Sequence, residues 1–371
     1  MLVQGGSWLV SRRFKYRDIL YVFSFLSSFF VNSTSAGPIY NNSSVSMRNP
    51  TCTCLSLLLI FLLEWPLFTS SAPTPPSGAG SSSSTSHNVD LRVHRFFDID
   101  PTCNAQRGVE RGLSDIFELA EVAQHISEDS VAYQHYFLSR KQDPHELDIV
   151  RNMAKSILVN GNSNKKTTIK CSAMDTDQGA MAHTSSGKIN SPWIHLYPLY
   201  FEFPTFDSKP FIQTGWCTPP PHNLIKFLSQ GEIGYHELTH LEHIAKYALE
   251  SSSVTASDHR PKMEMRGTFD FFIHKSLTFY QSARMLKDHW VDYLSQPNSA
   301  TPKPQYYPDE VASSFELAAV ETFFEQKCQA HGWTSTQVIP ATIQDLQLDL
   351  NPLFDHARKQ AKTLGVIGAY R

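Results

Sequence analysis

The chain carries little excess charge of either sign and lacks several motifs that identify common functional classes. Its 32 Lys and Arg residues nearly balance 35 Asp and Glu residues, so the formal net charge is -3 over 371 residues. Nucleic-acid-binding domains usually have a clearly basic face, so we expect no nucleic acid as a partner. No G-x-S-x-G sequence, P-loop or Rossmann glycine pattern occurs, which removes the usual signatures of serine hydrolases and nucleotide-binding proteins.

Cysteine is scarce and is not spaced for a cysteine zinc site. Two of the 6 cysteines lie in a signal-like segment near the N-terminus. The other four, none of which forms a C-x-x-C pair, are Cys103, Cys171, Cys217 and Cys328. An even number of cysteines in an exported domain predicts two disulfide bonds, and the spacing alone leaves all three pairings open.

The N-terminal part of the chain has the pattern of export signals. Two basic stretches are each followed by an apolar run and then by small residues, as in secretory signal peptides. We interpret residues 1–46 as an over-extended gene model or a first signal-like segment and residues 47–72 as the signal peptide. Residues 73–90 are rich in Pro and Ser and predict a flexible linker. The protein is therefore expected to be secreted, with one domain at 91–371 and no stable insertion in a membrane.

Beyond the linker, the spacing of apolar residues predicts an α+β domain that is predominantly helical. β-branched and aromatic stretches at 166–174 and 192–203 predict strands. A long helical pattern at about 223–250 follows them, so the small sheet precedes this helix. The other predicted helices cover about 104–126, 146–159, 275–294, 310–329 and 352–362.

The long helical pattern contains an H-E-x-x-H motif formed by His236, Glu237 and His240. Residues i and i+4 lie on one face of a helix, so the two imidazoles can bind one metal ion. Glu237 is offset and can reach a water molecule on that ion, as the general base of a zinc peptidase. The motif predicts one Zn2+ per chain. The alternative is that both histidines are ordinary polar residues of an amphipathic helix.

Catalytic zinc needs a third protein ligand, and the residues offer several candidates. His243 lies near the same helix face but would have to bind from the same rigid helix, about two turns from His236. We therefore expect it to support the site or to be exposed. Glu264 is a candidate because some zinc peptidases take a glutamate as their third ligand. His259 is another candidate, and it lies on an expected loop at 251–262.

A further acid, Asp270, ends the sequence GTFD downstream of the motif. Gly-Thr-x-Asp after H-E-x-x-H resembles the aspzincins, which are deuterolysin-like zinc endopeptidases of fungi and include lysine-specific enzymes. Residues 191–198 and 283–293 are similar to the edge strand of that family and to its helix after the aspartate. The resemblance implies a zincin-like fold for 91–371, with Asp270 as the third zinc ligand.

The resemblance also implies an activity and a disulfide pattern. It implies a secreted endopeptidase that hydrolyses peptide bonds in proteins or peptides by means of a zinc-activated water and a glutamate base. By the same resemblance, Cys103 would pair with Cys171, and Cys217 would pair with Cys328.

The chain departs from the family at the position of a tyrosine that is thought to stabilise the oxyanion. Ile273 and His274 stand there, and loss of one such donor reduces rates by about 100- to 1000-fold. His274, Tyr280 or Tyr235 could replace it. The departure motivates an alternative function, a secreted zinc-binding or surface-interaction protein of the same fold with little or no hydrolytic activity.

Overall fold

A mixed four-stranded sheet precedes the histidine motif, where the sequence predicted a small sheet. The structure is a computed structural model that describes residues 89–103, 108–171, 181–185, 191–208, 216–217, 222–252, 260–271, 278–296, 301–340, 342 and 344. The strands of this sheet are β1 (Phe97–Ile99), β2 (Thr167–Cys171), β3 (Ala182–Thr184) and β4 (Trp193–Leu196). Their order is β1-β2-β4-β3, and β3 lies at the edge, antiparallel to β4 in an otherwise parallel sheet.

Helices dominate the rest of the described residues, so the fold is mixed α and β with a small sheet. The helices are α1 (Leu91–Phe96), α2 (Val109–Ala123), α3 (Val131–Tyr136), α4 (Glu146–Leu158), α5 (Gln230–Thr239), α6 (Glu242–Glu250), α7 (Pro261–Arg266), α8 (Phe279–Ser295) and α9 (Ala312–Cys328). A second pair of short parallel strands joins β5 (His222–Asn223) to β6 (Val338–Ile339). None of these helices is long and apolar enough to cross a bilayer.

The core forms where α5 packs against α2 on one side and α9 on the other. Two glycines of α5 permit a close approach to α2. A Cβ at Gly231 would lie 2.5 Å from Asp115 Cβ, and one at Gly234 would lie 2.5 Å from Ile116 Cδ1. These distances are far below van der Waals contact, so the α2–α5 packing depends on both glycines. The helix that carries the histidine motif is thereby packed closely against α2 in the core.

The predicted continuous helix at 223–250 is wrong. The chain forms the short strand β5, then a single 3-10 turn at Leu224–Phe227, and then two separate helices, α5 and α6. Ser229 begins α5 with a capping box, since its hydroxyl accepts from Glu232 N–H and its own N–H donates to the Glu232 carboxylate. Leu241 then has extended backbone with ψ 126° and separates the two helices.

The other predicted elements are confirmed in position, with two exceptions. The strand predicted at 192–203 ends at Leu196, and a 3-10 helix at Pro198–Glu202 follows, because Pro198 fixes its own φ and has no N–H to donate. The helix predicted at 352–362 lies outside the described residues. The segments expected at 1–46 and 47–72, and nearly all of the linker, also lie outside them.

Two disulfide bonds fix the ends of secondary-structure elements. Cys103 is bonded to Cys171 at the end of β2, and Cys217 is bonded to Cys328 at the end of α9. This is the pairing that the family resemblance implied. Structural disulfides are typical of exported proteins.

Candidate metal centre

Two histidines of the motif and the downstream aspartate converge on one point. His236 Nε2 lies 3.0 Å from Asp270 Oδ1, and His240 Nε2 lies 3.4 Å from the same oxygen. The imidazole rings are 4.8 Å apart and nearly perpendicular. One ligand atom from each of the three residues lies within 4.8 Å of the others. The three side chains that the sequence and the resemblance selected therefore meet, although 34 residues separate His236 from Asp270.

A buried glutamate that the sequence did not suggest orients His236. Glu316 of α9 places its Oε2 2.6 Å from His236 Nδ1, and its side chain is 4% exposed. A carboxylate can only accept here, so Nδ1 carries a proton and Nε2 is the nitrogen that faces Asp270. Histidines that bind metals commonly donate their second ring N–H to a carboxylate in this way.

Glu232 extends this contact into the core. It is 1% exposed, and burial together with the charge of Glu316 raises its pKa well above the usual value. Burial beside Glu316 therefore favours the protonated form of the Glu232 carboxyl.

A backbone carbonyl orients the second histidine. His240 Nδ1 lies 2.9 Å from the carbonyl oxygen of Thr268. A carbonyl oxygen only accepts, so Nδ1 of His240 carries its proton and Nε2 again faces Asp270. Both imidazoles thus direct Nε2 to the same carboxylate oxygen.

The segment that carries Asp270 is fixed at both of its sides. Thr268 N–H donates to the Thr239 carbonyl over 3.1 Å at the end of α5. Phe269 forms an isolated parallel β-bridge with Val311, just before α9. Gly267 has φ 82°, and a Cβ there would lie 2.0 Å from the His240 carbonyl oxygen. Only glycine fits such a close approach with this backbone, which gives the glycine of the GTFD sequence a physical role.

The charges of the centre fit a bound cation. Burial opposes protonation of His236, but the Glu316 and Asp270 carboxylates raise its pKa well above the usual value. Burial likewise opposes protonation of His240, and Asp270 raises its pKa. His240 and His236 hold the pKa of Asp270 well below its usual range. In the metal-free centre, protons on the Nε2 atoms therefore balance the charge of the Asp270 carboxylate, as a bound metal ion would. Two imidazoles with one carboxylate are a donor set that zinc commonly takes.

Glu237 lies beside this centre without being part of the converging group. Its side chain is buried at 7% exposure, and burial raises its pKa to about 7, although His240 and His236 act in the opposite direction. A carboxylate with a pKa near neutrality is well suited to accept and return a proton at physiological pH. The Asp270 side chain, by contrast, is 55% exposed, so the centre opens to solvent on the aspartate side.

The competing third ligands do not join the site. His243 Nε2 instead lies 3.2 Å from Asn160 Oδ1, so it is neither exposed nor in support of the metal ligands. Glu264 lies on α7 and is not in the converging group of the described residues. His259, together with Ile273 and its neighbour His274, lies outside the described residues.

No protein-family model, curated protein or solved structure matches this chain, and what the centre can do therefore follows from its own residues and geometry.

Proposed function

We propose that the chain is a secreted zinc-dependent endopeptidase with a zincin-like fold of the aspzincin type. The observation that carries the proposal is the convergence of two imidazole nitrogens and one carboxylate oxygen from His236, His240 and Asp270, with a near-neutral carboxyl at Glu237 beside them. The two disulfide bonds support export.

The ligands and the base have distinct tasks in this reaction. His236, His240 and Asp270 would hold one zinc ion, which would supply Lewis-acid chemistry and lower the pKa of water toward neutrality. Glu237 takes the proton of the attacking water as the water oxygen bonds to the peptide carbonyl carbon. The carbon–nitrogen bond then breaks, and Glu237 returns the proton to the departing amine nitrogen. Glu316 and the Thr268 carbonyl keep the two imidazoles oriented throughout.

A paired measurement of zinc content and proteolysis tests the proposal. The purified chain is expected to contain about one zinc ion and to cleave casein. Glu237→Gln is expected to keep the zinc and to reduce cleavage by about 100- to 10000-fold, because the amide cannot accept the proton. Glu242→Gln on the next helix is the matched control and is expected to change neither quantity.

The results of these measurements distinguish an endopeptidase from a zinc-binding protein without hydrolytic activity. Cleavage that is unchanged in Glu237→Gln contradicts the proposal. Tight zinc binding without cleavage of casein or of any peptide in a mixed library supports the alternative, a secreted zinc-binding or surface-interaction protein. Lack of zinc after purification with added zinc contradicts both and favours an ordinary amphipathic helix.

A further inference from the structure

Peptide hydrolysis places negative charge on the carbonyl oxygen, and a hydrogen-bond donor directed at that oxygen accelerates the reaction. Two tyrosines that the sequence suggested for this task are unsuitable. Tyr235 is 1% exposed and Tyr280 is 0% exposed, and both belong to the main core cluster. Both phenols are enclosed in that cluster, whereas Tyr197 lies outside it and is 6% exposed.

Tyr197 has a different environment at the end of β4. Its N–H donates to the Met181 carbonyl over 3.0 Å, which continues the pairing of β4 with the edge strand β3. Its hydroxyl lies 2.6 Å from His183 Nδ1 on β3. The ring stacks on those of His183 and His195, with centroids 5.4 Å and 5.3 Å away. These contacts fix the phenol at the edge of the sheet.

This edge of the sheet adjoins the helix that carries the motif. Strand β3, which carries His183, packs against α5. Burial is the main cause of the raised pKa of Tyr197, and the negative charge of Glu237 raises it further. A phenol with a raised pKa keeps its proton, so it can donate a hydrogen bond at neutral pH.

We infer that Tyr197, positioned by His183, donates a hydrogen bond to the oxygen that becomes negative when the peptide carbonyl is attacked. The inference rests on the proposed endopeptidase function and assigns its oxyanion donor. As the water oxygen bonds to the carbonyl carbon, Glu237 takes the water proton and the C=O π pair moves to the oxygen. The phenol donates to that oxygen and keeps its own proton. When the C–N bond breaks, the π pair returns and Glu237 protonates the amine.

His183 decides where the phenol proton points. A tyrosine hydroxyl can accept one hydrogen bond while it donates another. With the imidazole proton on Nδ1, His183 donates to the phenolic oxygen and leaves the phenol proton free for the substrate. Burial and the neighbouring His195 lower the pKa of His183, so the ring is neutral at physiological pH and can hold this tautomer. His183 is thus a positioning residue.

Tyr197→Phe tests the assignment, with Tyr247→Phe on α6 as the matched control. With casein as substrate, Tyr197→Phe is expected to lower kcat by about 100- to 1000-fold, the usual loss for one oxyanion donor, with KM and zinc content within about twofold of wild type. A phosphinic peptide, whose tetrahedral anionic centre resembles the charged oxygen, should lose a comparable factor in affinity by calorimetry. Tyr247→Phe should change none of these quantities.

A kcat within about twofold of wild type for a folded, zinc-loaded Tyr197→Phe overturns the inference. The proposed function then still stands if Glu237→Gln is inactive. If wild type itself does not cleave, both fail together. Should Tyr197→Phe not fold, His183→Leu replaces it, because it removes the partner of the phenol and keeps the phenol itself. A folded His183→Leu is expected to lose about tenfold or more in kcat, and an unchanged kcat overturns the inference.

Discussion

Glu316 determines which nitrogen of His236 faces the metal position, although it lies 80 residues further along the chain. Its charge also matters, because a carboxylate that accepts from Nδ1 makes Nε2 a better donor to a cation. The orientation and the basicity of His236 on α5 thus depend on Glu316 of α9.

Replacement of Glu316 should therefore weaken metal binding without removing a ligand. Glu316→Leu is expected to lower zinc affinity by about 10- to 100-fold. Glu316→Gln should lose less, since its amide oxygen still accepts from Nδ1. The measurement is competition with a chromophoric zinc chelator. Glu325→Gln on the same helix is the control, and equal affinity of all three variants and wild type would contradict the role assigned to Glu316.

His243 provides a prediction about stability and pH. Burial and the neighbouring Lys165 lower its pKa to about 4, whereas an unfolded chain protonates histidine near pH 6.5. The unfolded state therefore binds more protons between these values, and the free energy of unfolding falls as pH decreases, by at most about 1.4 kcal/mol per pH unit for one group.

Denaturant unfolding at several pH values tests this prediction. His243→Gln is expected to be less sensitive than wild type to a shift from pH 7 to pH 5, and to keep its zinc. A loss of zinc stoichiometry in this variant would instead place His243 among the ligands. Identical pH dependence of the two proteins would contradict the lowered pKa of His243.

The residues of the motif could be predicted because a helix places i and i+4 side by side. Glu237 followed from the same geometry, and Asp270 followed only from the resemblance to a known sequence pattern. Glu316 could not be predicted, since an isolated glutamate on an apolar helix carries no local signal. Its role depends on how α9 packs against α5. For the same reason, Tyr197 and His183 stood out neither by spacing nor by composition.

At the scale of elements, the end of α5 is determined by a neighbouring segment of the chain. The Thr239 carbonyl accepts from Thr268 N–H, and Gly267 packs directly on the His240 carbonyl. Carbonyls at a helix end need such partners. The apolar spacing at 223–250 continues through this point, so local sequence predicts one helix. The break is a tertiary effect, and it brings the segment with Asp270 next to the two histidines.

Two glycines with similar backbone and different surroundings test this conclusion. Gly267 has φ 82° and meets the His240 backbone, whereas Gly332 has φ 75° and nothing within 4 Å of the position of a Cβ. Alanine at either site incurs the cost of a positive φ, about 1 kcal/mol. Only Gly267→Ala should displace Asp270.

We therefore expect Gly332→Ala to lose about 1 kcal/mol of stability and to bind zinc like wild type. Gly267→Ala should lose more stability and bind zinc at least tenfold more weakly. Chemical denaturation and zinc competition measure the two quantities. Similar zinc affinity for both variants would show that the contact of residue 267 with α5 does not position Asp270.

At the scale of the whole molecule, the centre joins parts of the chain that are far apart in sequence. The histidines lie on α5, Asp270 lies on a segment paired with the start of α9, and Glu316 lies on α9 itself. A bound ion would therefore connect the motif helix to the C-terminal half of the described residues. The disulfide bonds fix other places, at the ends of β2 and α9, so the ion adds an independent constraint.

Zinc should consequently stabilise the fold as a whole. At a free zinc concentration about 100 times the dissociation constant, the folded state gains about 2.7 kcal/mol. For a domain of this size, that corresponds to an increase in Tm of about 4 to 5 °C. Asp270→Ala should lose most of this increase, because it removes the ligand that links the two halves. Glu242→Gln should keep it.

The pH dependence of zinc binding distinguishes a site formed by the two histidines and Asp270 from loose binding at the surface. The apo histidines hold protons more tightly than ordinary histidines because of Asp270 and Glu316. Zinc must displace these protons, so its binding releases them and weakens as pH falls. Calorimetry in buffers of different ionisation enthalpy should detect protons released on zinc binding to wild type near pH 6, and fewer for Asp270→Ala. A zinc-dependent increase in Tm without proton release would mean that the ion binds elsewhere than at the two imidazoles.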